Sequence, residues 1–180
     1  MLAIDEPLSV RATKPALYRV ADTSLRFYLA IGRAAHELTR RGRTTAAQTL
    51  INRRWASWRG RAVEPVIREA LALAAADLPW PEAVAVGGWW HRAFDPEIDL
   101  IGADRAPVAR KLWYAGSVKW LDQPFGPREL AELQRAAPQV PGFDPGETAL
   151  ISVSRAGFTD SAATSLALYW LPEDIVSAYA

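Results

Sequence analysis

The sequence predicts an α/β or α+β domain, a mixed sheet held between helices, preceded by a helical extension. Three observations predict it. Apolar residues recur at helical spacing through the first eighty positions. After Pro79-Trp80-Pro81 the pattern changes to short runs rich in Val, Ile, Trp and Tyr, as strands require. The order along the chain is then three strands, a helix, a strand, a short segment and a last strand, about five strands in all, which needs helices on the faces of a single sheet.

The elements follow in order. Residues 1–20 read as a short strand or two, at Leu8-Ser-Val-Arg-Ala and Leu17-Tyr-Arg-Val-Ala, with a turn at Lys14-Pro15; they are too few to bury a core and read as an appendage. Asp22 is a good N-cap for a helix whose stripe is Leu25, Tyr28, Leu29, Ile31, Ala35 and Leu38 and whose end is near Arg41-Gly42. Thr44 or Thr45 caps a second helix running to Trp55. A third starts near Arg61 with Pro65 in its first turn, where a missing N–H costs little. Strands are expected at Ala83–Trp90, Glu97–Ala103 and Lys111–Trp120, a helix at Pro127–Ala137, strands at Thr148–Arg155 and Ser165–Trp170, and a short helix after Pro172.

Composition removes several kinds of chemistry. The chain of 180 residues has no cysteine, which excludes disulfides, thiolate nucleophiles and cysteine metal sites. Its two histidines, His36 and His91, cannot make a three-histidine zinc site; His36 reads as a surface residue and His91 as the cap of a strand end. No apolar run is long enough for a membrane span, and the first residues lack the order of a secretory signal, so a cytoplasmic globular protein without a membrane partner is expected. There is no G-x-x-x-x-G-K-[ST] phosphate loop, and Ser152 and Ser154 lie in no G-x-S-x-G turn.

The net charge of +1 hides a polarity. Residues 1–68 hold thirteen Lys/Arg against five Asp/Glu, a net of +8; residues 69–180 hold eight against fifteen, a net of −7. Arg40, Arg41, Arg43, Arg53, Arg54, Arg59 and Arg61 follow one another without an acid among them. Guanidinium forks match phosphate geometry, so DNA is one expected partner. The competing reading is a solvated helix face docked on the chain's own acidic half. Trp55, Trp58, Trp89, Trp90, Trp113 and Trp120 offer stacking faces to bases, although most tryptophans at such positions belong to the core.

One constellation could carry chemistry. Glu97 and Asp99 are two apart in one strand, and Ser117 and Lys119 two apart in the next, so each pair shares a face. If those strands are neighbours, Asp99, Ser117 and Lys119 meet at one end of the sheet, with Glu64 on the preceding helix. The plain alternative is exposed charges on an edge strand, with the Lys119 stem lying on Trp120.

These residues resemble the skeleton of PD-(D/E)XK nucleases, the restriction-endonuclease-like fold. The likeness is closer to one branch, the C-terminal domain of unknown function of archaeal-type P-loop ATPases. Leu17–Tyr28, Gly60-Arg-Ala-Val-Glu64, Trp89-Trp90, Glu97-Ile-Asp-Leu-Ile, Gly116-Ser-Val-Lys-Trp120 and Ser154–Thr159 carry it in co-linear order. The resemblance implies a nuclease-like domain over residues 57–180, a helical extension over 21–56, and in 1–20 the remnant of a preceding winged-helix wing, so that the chain is similar to a detached C-terminal module. It implies that Asp99 is a metal ligand, aided by Glu64 or Glu97, that Lys119 positions the attacking water, and that Glu64 assists. The cofactor of an active member would be Mg²⁺ or Mn²⁺.

Ser117 departs from this pattern. A hydroxyl stands where the family carries a metal-binding carboxylate, which weakens a site for Mg²⁺. The expected function is therefore a degenerate nuclease module that binds DNA, a P-loop ATPase partner or a winged-helix module without cutting. The alternatives are an active Mg²⁺-dependent DNA endonuclease and a protein-interaction domain without nucleic-acid contact.

Overall fold

A computed structural model of the chain describes residues 2–12 and 15–180; the expected turn at Lys14-Pro15 therefore falls in part outside the described residues. Leu2–Asp5 (β1) and Leu17–Val20 (β2) form an antiparallel hairpin, paired from Leu2↔Val20 to Asp5↔Leu17. The strand expected at Leu8–Ala12 does not form. Leu8 is instead buried among the residues of the main core, its N–H donating to the Gly88 carbonyl at 2.8 Å, and Ser9 makes a single parallel bridge to Val108. The N-terminal segment is thus more than an appendage: Leu8 loses its contact with water at Gly87, where an added Cβ would stand 3.1 Å from the leucine side chain.

Asp22 caps the first helical stretch as expected, accepting the Leu25 N–H at 2.6 Å. That stretch comprises Thr23–Phe27 (α1), a wider π-type turn at Tyr28–Gly32, and Arg33–Arg40 (α2). It stops at Gly42, whose φ of 69° lies in the left-handed region that favours glycine.

The two helices expected next are one. Thr44–Leu73 (α3) runs unbroken for 30 residues, through Gly60 and through Pro65. Pro65 has no N–H to give the carbonyl four residues back, that of Arg61. Arg26 Nη2 donates to that carbonyl at 3.4 Å, so α1 supplies from outside what the proline cannot. Beyond Pro65 the buried face of Ile67, Ala70 and Leu71 holds the helix on the sheet.

The sheet is mixed and five-stranded, in the order Ala85–Trp90 (β3), Glu97–Ala103 (β4), Leu112–Lys119 (β5), Ala149–Ser154 (β6) and Leu168–Trp170 (β7). The first three strands are antiparallel, while β5–β6 and β6–β7 are parallel. Pro127–Ala136 (α4) makes the crossover from β5 to β6 and covers one face; there Leu130 and Leu133 pack with Ile98, Ile101, Ala115 and Phe125. The short helix Asp160–Ala163 (α5) lies on the same side through Ala162. On the other face α3 and the C-terminal helix Pro172–Ser177 (α6) bury Leu100, Tyr114, Ile151 and Val153. β4 is therefore an interior strand, which corrects the reading of Glu97 and Asp99 as charges on an edge. No helix among the described residues is long and apolar enough to cross a membrane.

Candidate functional site

The candidate site lies where β4 and β5 part. Their ladder runs from Ala103↔Leu112 to Leu100↔Gly116 and goes no further, although both strands continue. On the other side of β4 the register with β3 slips: Gly87 opposes Ile101, but Trp89 opposes Ile98. This irregularity puts Ile98 and Ile101 in one core and Leu100 in the other, with Asp99 between them. Such bulges re-aim a side chain and end pairing. Here the re-aimed group is the Asp99 carboxylate, which takes the Val118 N–H at 2.7 Å and the Ser117 hydroxyl at 3.2 Å, both on Oδ2.

Helix α3 approaches the same point. Arg68 Nε donates to the Asp99 carbonyl at 2.9 Å, and its Nη2 stands 3.4 Å from Glu64 Oε2, one helical turn away. A Cβ at Gly88 would come within 2.6 Å of that Nη2, so glycine makes the room the guanidinium occupies. Glu64, Asp99, Glu97 and Asp5 line one small cavity of about 90 Å³ together with Arg68. Three of these acids are held above their ordinary pKa. Burial raises Glu64 most, the charges of Asp99 and Glu97 add to it, and Arg68 and Arg61 oppose; the balance is about 7. Burial also raises Asp99, against the Val118 N–H, the Arg68 charge and the Ser117 hydroxyl. Burial, then Asp99, raises Glu97.

Lys119 lies on the Ser117 face of β5 and lines, with Ser117 and Glu97, a larger cavity of about 580 Å³. Its ammonium is engaged by Glu129 of α4, a residue that sequence reasoning did not single out. The other Glu129 oxygen accepts the Gly126 N–H at 3.1 Å at the start of α4. Lys119, more than any other group, holds the Glu129 carboxyl below the usual range. The available signal was Gly126-Pro-Arg-Glu129: a glutamate three residues into a helix caps it, and this helix follows the lysine strand directly. Arg68 also escaped notice, although it repeats Glu64 at i+4 on one helix face.

The donor set does not fit a divalent cation as arranged. Among the described residues no three His, Cys, Asp or Glu side chains converge closely enough to hold one. Asp99 Oδ2 is already occupied by two donors, Ser117 offers a hydroxyl, and Lys119 is paired across to α4. Glu64 and Glu97 approach Asp99 electrostatically without forming a ligand triangle.

The arginines expected to meet nucleic acid divide into three groups. Arg59 serves the fold, donating to the Trp120 carbonyl at 3.4 Å and pairing with Asp122 at 3.5 Å, while Arg155 also pairs with Asp122. Arg40 and Arg41 are exposed and each stands 3.9 Å from Glu37; Arg43 is exposed just before α3. Arg53, Arg54 and Arg61 line a groove between α3 and the α1–α2 arm. Trp89 and Trp90 are buried, whereas Trp55 is 41% exposed. His36 is exposed, and His91 caps the turn after β3, its Nδ1 accepting the Ala93 N–H at 3.3 Å.

Comparison with curated proteins finds no match. Comparison with solved structures finds none either. A family model does match, over residues 27–132, which span the π-type turn, α2, α3 with Glu64, the antiparallel strands with Asp99 and Lys119, and the first half of α4. The chain belongs to DUF234, a family of archaeal and bacterial proteins of unknown function.

Proposed function

We propose that this chain is a nuclease-like module that binds DNA without cutting it. The observation that carries the reading is the state of the three groups on the sheet. Asp99, Ser117 and Lys119 occupy neighbouring strands at one sheet end, as in metal-dependent nucleases, yet each is engaged by a protein partner. Phosphodiester hydrolysis needs a cation held by charged oxygen ligands and a water it can deprotonate. Where Ser117 and the Lys119–Glu129 pair stand, the chain supplies neither ligand nor an unengaged ammonium. Basic residues for phosphate remain on α3, close to this end of the sheet.

A second reading has one observation in its favour. Burial raises the pKa of Glu64, Glu97 and Asp99, and the Asp99 charge adds to the shifts of the other two, as happens to acids that a bound cation would otherwise keep ionised. That favours an active Mg²⁺-dependent nuclease in which Glu64 or Glu97 joins Asp99 as the second carboxylate ligand. Docking on a P-loop ATPase or winged-helix partner is compatible with either reading and rests on the family resemblance alone.

The test of the first reading is a gel shift with DNA over a series of salt concentrations. Three or four arginines on phosphates give a log–log salt slope of about −3. No shift at low salt removes DNA from the account and leaves a domain that contacts proteins only.

A further inference from the structure

We infer that the groove between α3 and the α1–α2 arm holds an unpaired stretch of single-stranded DNA, with phosphates on its arginines and a base against its apolar floor. The inference rests on the DNA-binding reading above and names the form of DNA and the place it occupies.

The groove encloses about 570 Å³, within the range of sites that take a nucleotide-sized group. Its floor is Leu29, Ile31 and Trp58, and its walls carry Arg26, Arg53, Arg54 and Arg61. Among the described residues none of these four guanidiniums has a carboxylate within ion-pair distance, whereas Arg19, Arg59, Arg68, Arg128 and Arg155 each have one. Two of the four are held by neutral backbone instead: Arg54 Nη1 donates to the Ala30 carbonyl at 2.8 Å, and Arg26 Nη2 to that of Arg61 at 3.4 Å. Carbonyls fix the planes and leave the charge uncancelled. Four like charges around a low-dielectric floor focus a positive potential that an anion relieves.

Charge alone would suit any polyanion. The apolar floor and the aromatic group beside it narrow the choice. Trp58 stacks on Trp55 with centroids 5.3 Å apart and planes 27° apart, and Phe27 meets Trp58 edge-on at 5.1 Å. The pair is thereby held together beside the groove, with Trp55 left 41% exposed and within reach of a further base. Bases inside a duplex are already stacked and cannot reach such a floor.

The groove also leads to the candidate site. Ser57 and Arg61 line both it and a cavity of about 190 Å³ whose other walls include Gly60, Glu64 and Lys119. A strand seated in the groove therefore continues along α3 toward Lys119.

The experiment is fluorescence anisotropy with a labelled oligo-dT, the blunt duplex of equal length, and a labelled peptide of alternating Glu and Leu, all at low salt. We expect the single strand to bind at least tenfold more tightly than the duplex, and Arg53→Glu or Arg53→Gln, at a residue whose guanidinium has no hydrogen bond among the described residues, to weaken it at least fivefold. Oligo-dT should also quench the tryptophan fluorescence of the parent chain. Equal or tighter duplex binding, or single-strand binding indifferent to both Arg53 variants, overturns the groove assignment and leaves DNA binding standing. Tighter binding of the acidic peptide overturns its nucleic-acid character. Binding of neither DNA overturns the DNA reading itself.

Discussion

Replacing Glu64 by glutamine should make the protein more stable in alkaline solution and should flatten its response to pH. Glu64 is 28% exposed, and its pKa rises from an ordinary 4.5 to about 7. The folded chain therefore binds a proton more tightly than the unfolded chain. A carboxyl raised in this way costs nothing below about pH 4.5, since both states are protonated; the cost grows as pH rises and is complete above about pH 7. With each tenfold step in proton affinity worth about 1.4 kcal/mol, the full penalty is about 3 kcal/mol, of which about 2.5 kcal/mol appears between pH 5 and pH 8. Glu97 and Asp99 are shifted in the same direction and add to the slope. Glutamine keeps the shape and an oxygen for Arg68 while removing the charge that opposes Asp99. Urea unfolding followed by tryptophan fluorescence at pH 5, 6, 7 and 8 measures the effect. The parent should lose stability steadily over this range, and Glu64→Gln should lose about 2.5 kcal/mol less. Equal slopes for the two proteins would refute the claim that burial, reinforced by the Asp99 charge, holds the Glu64 carboxyl above its ordinary pKa.

Three other outcomes follow from the same geometry. Arg68→Ala removes the donor to the Asp99 carbonyl and the counter-charge of two acids, and should destabilise the chain by about 2–4 kcal/mol at pH 8, read by chemical unfolding; a change below 0.5 kcal/mol, taken as roughly the size of an ordinary surface substitution, contradicts the bridging role. Leu8→Ala should cost about 2–4 kcal/mol, measured in the same way; a neutral result means that the N-terminal segment does not share the core. Ser117→Glu places a charged oxygen beside Asp99 and Glu97 and should tighten Mn²⁺ binding at least tenfold, about 1.4 kcal/mol by titration calorimetry at pH 8; no gain contradicts the account of why the site fails to gather a cation.

The strands were legible because each carries its own pattern. β4 and β5 have β-rich, largely apolar runs, and once the two strands are neighbours their alternation places Asp99 beside Ser117. Asp22 was legible as a cap because capping is a local interaction. The rest depends on groups distant in sequence. Gly60 and Pro65 argue locally for a break, and only Arg26, reaching from another helix, with the burial of Ile67 and Leu71, keeps α3 whole. The burial of Leu8 depends on the room at Gly87. At the site, Asp99 and Ser117 were read from alternation, but the bulge that turns Asp99 toward Val118 and Glu64 leaves no mark in composition. The Lys119–Glu129 pair depends on where α4 lands on the sheet, which the pattern of α4 alone does not specify.

The central claim is that the sheet end carrying Asp99 and Lys119 has the layout of a cutting site with its parts engaged elsewhere. The direct measurement is strand scission. Supercoiled plasmid and a single-stranded circle are incubated with saturating protein at pH 8, with Mg²⁺ and then Mn²⁺, and resolved by electrophoresis. The account predicts that both substrates stay intact while bound. Nicking that disappears in Asp99→Ala and in Lys119→Ala would contradict it and establish an active metal-dependent nuclease.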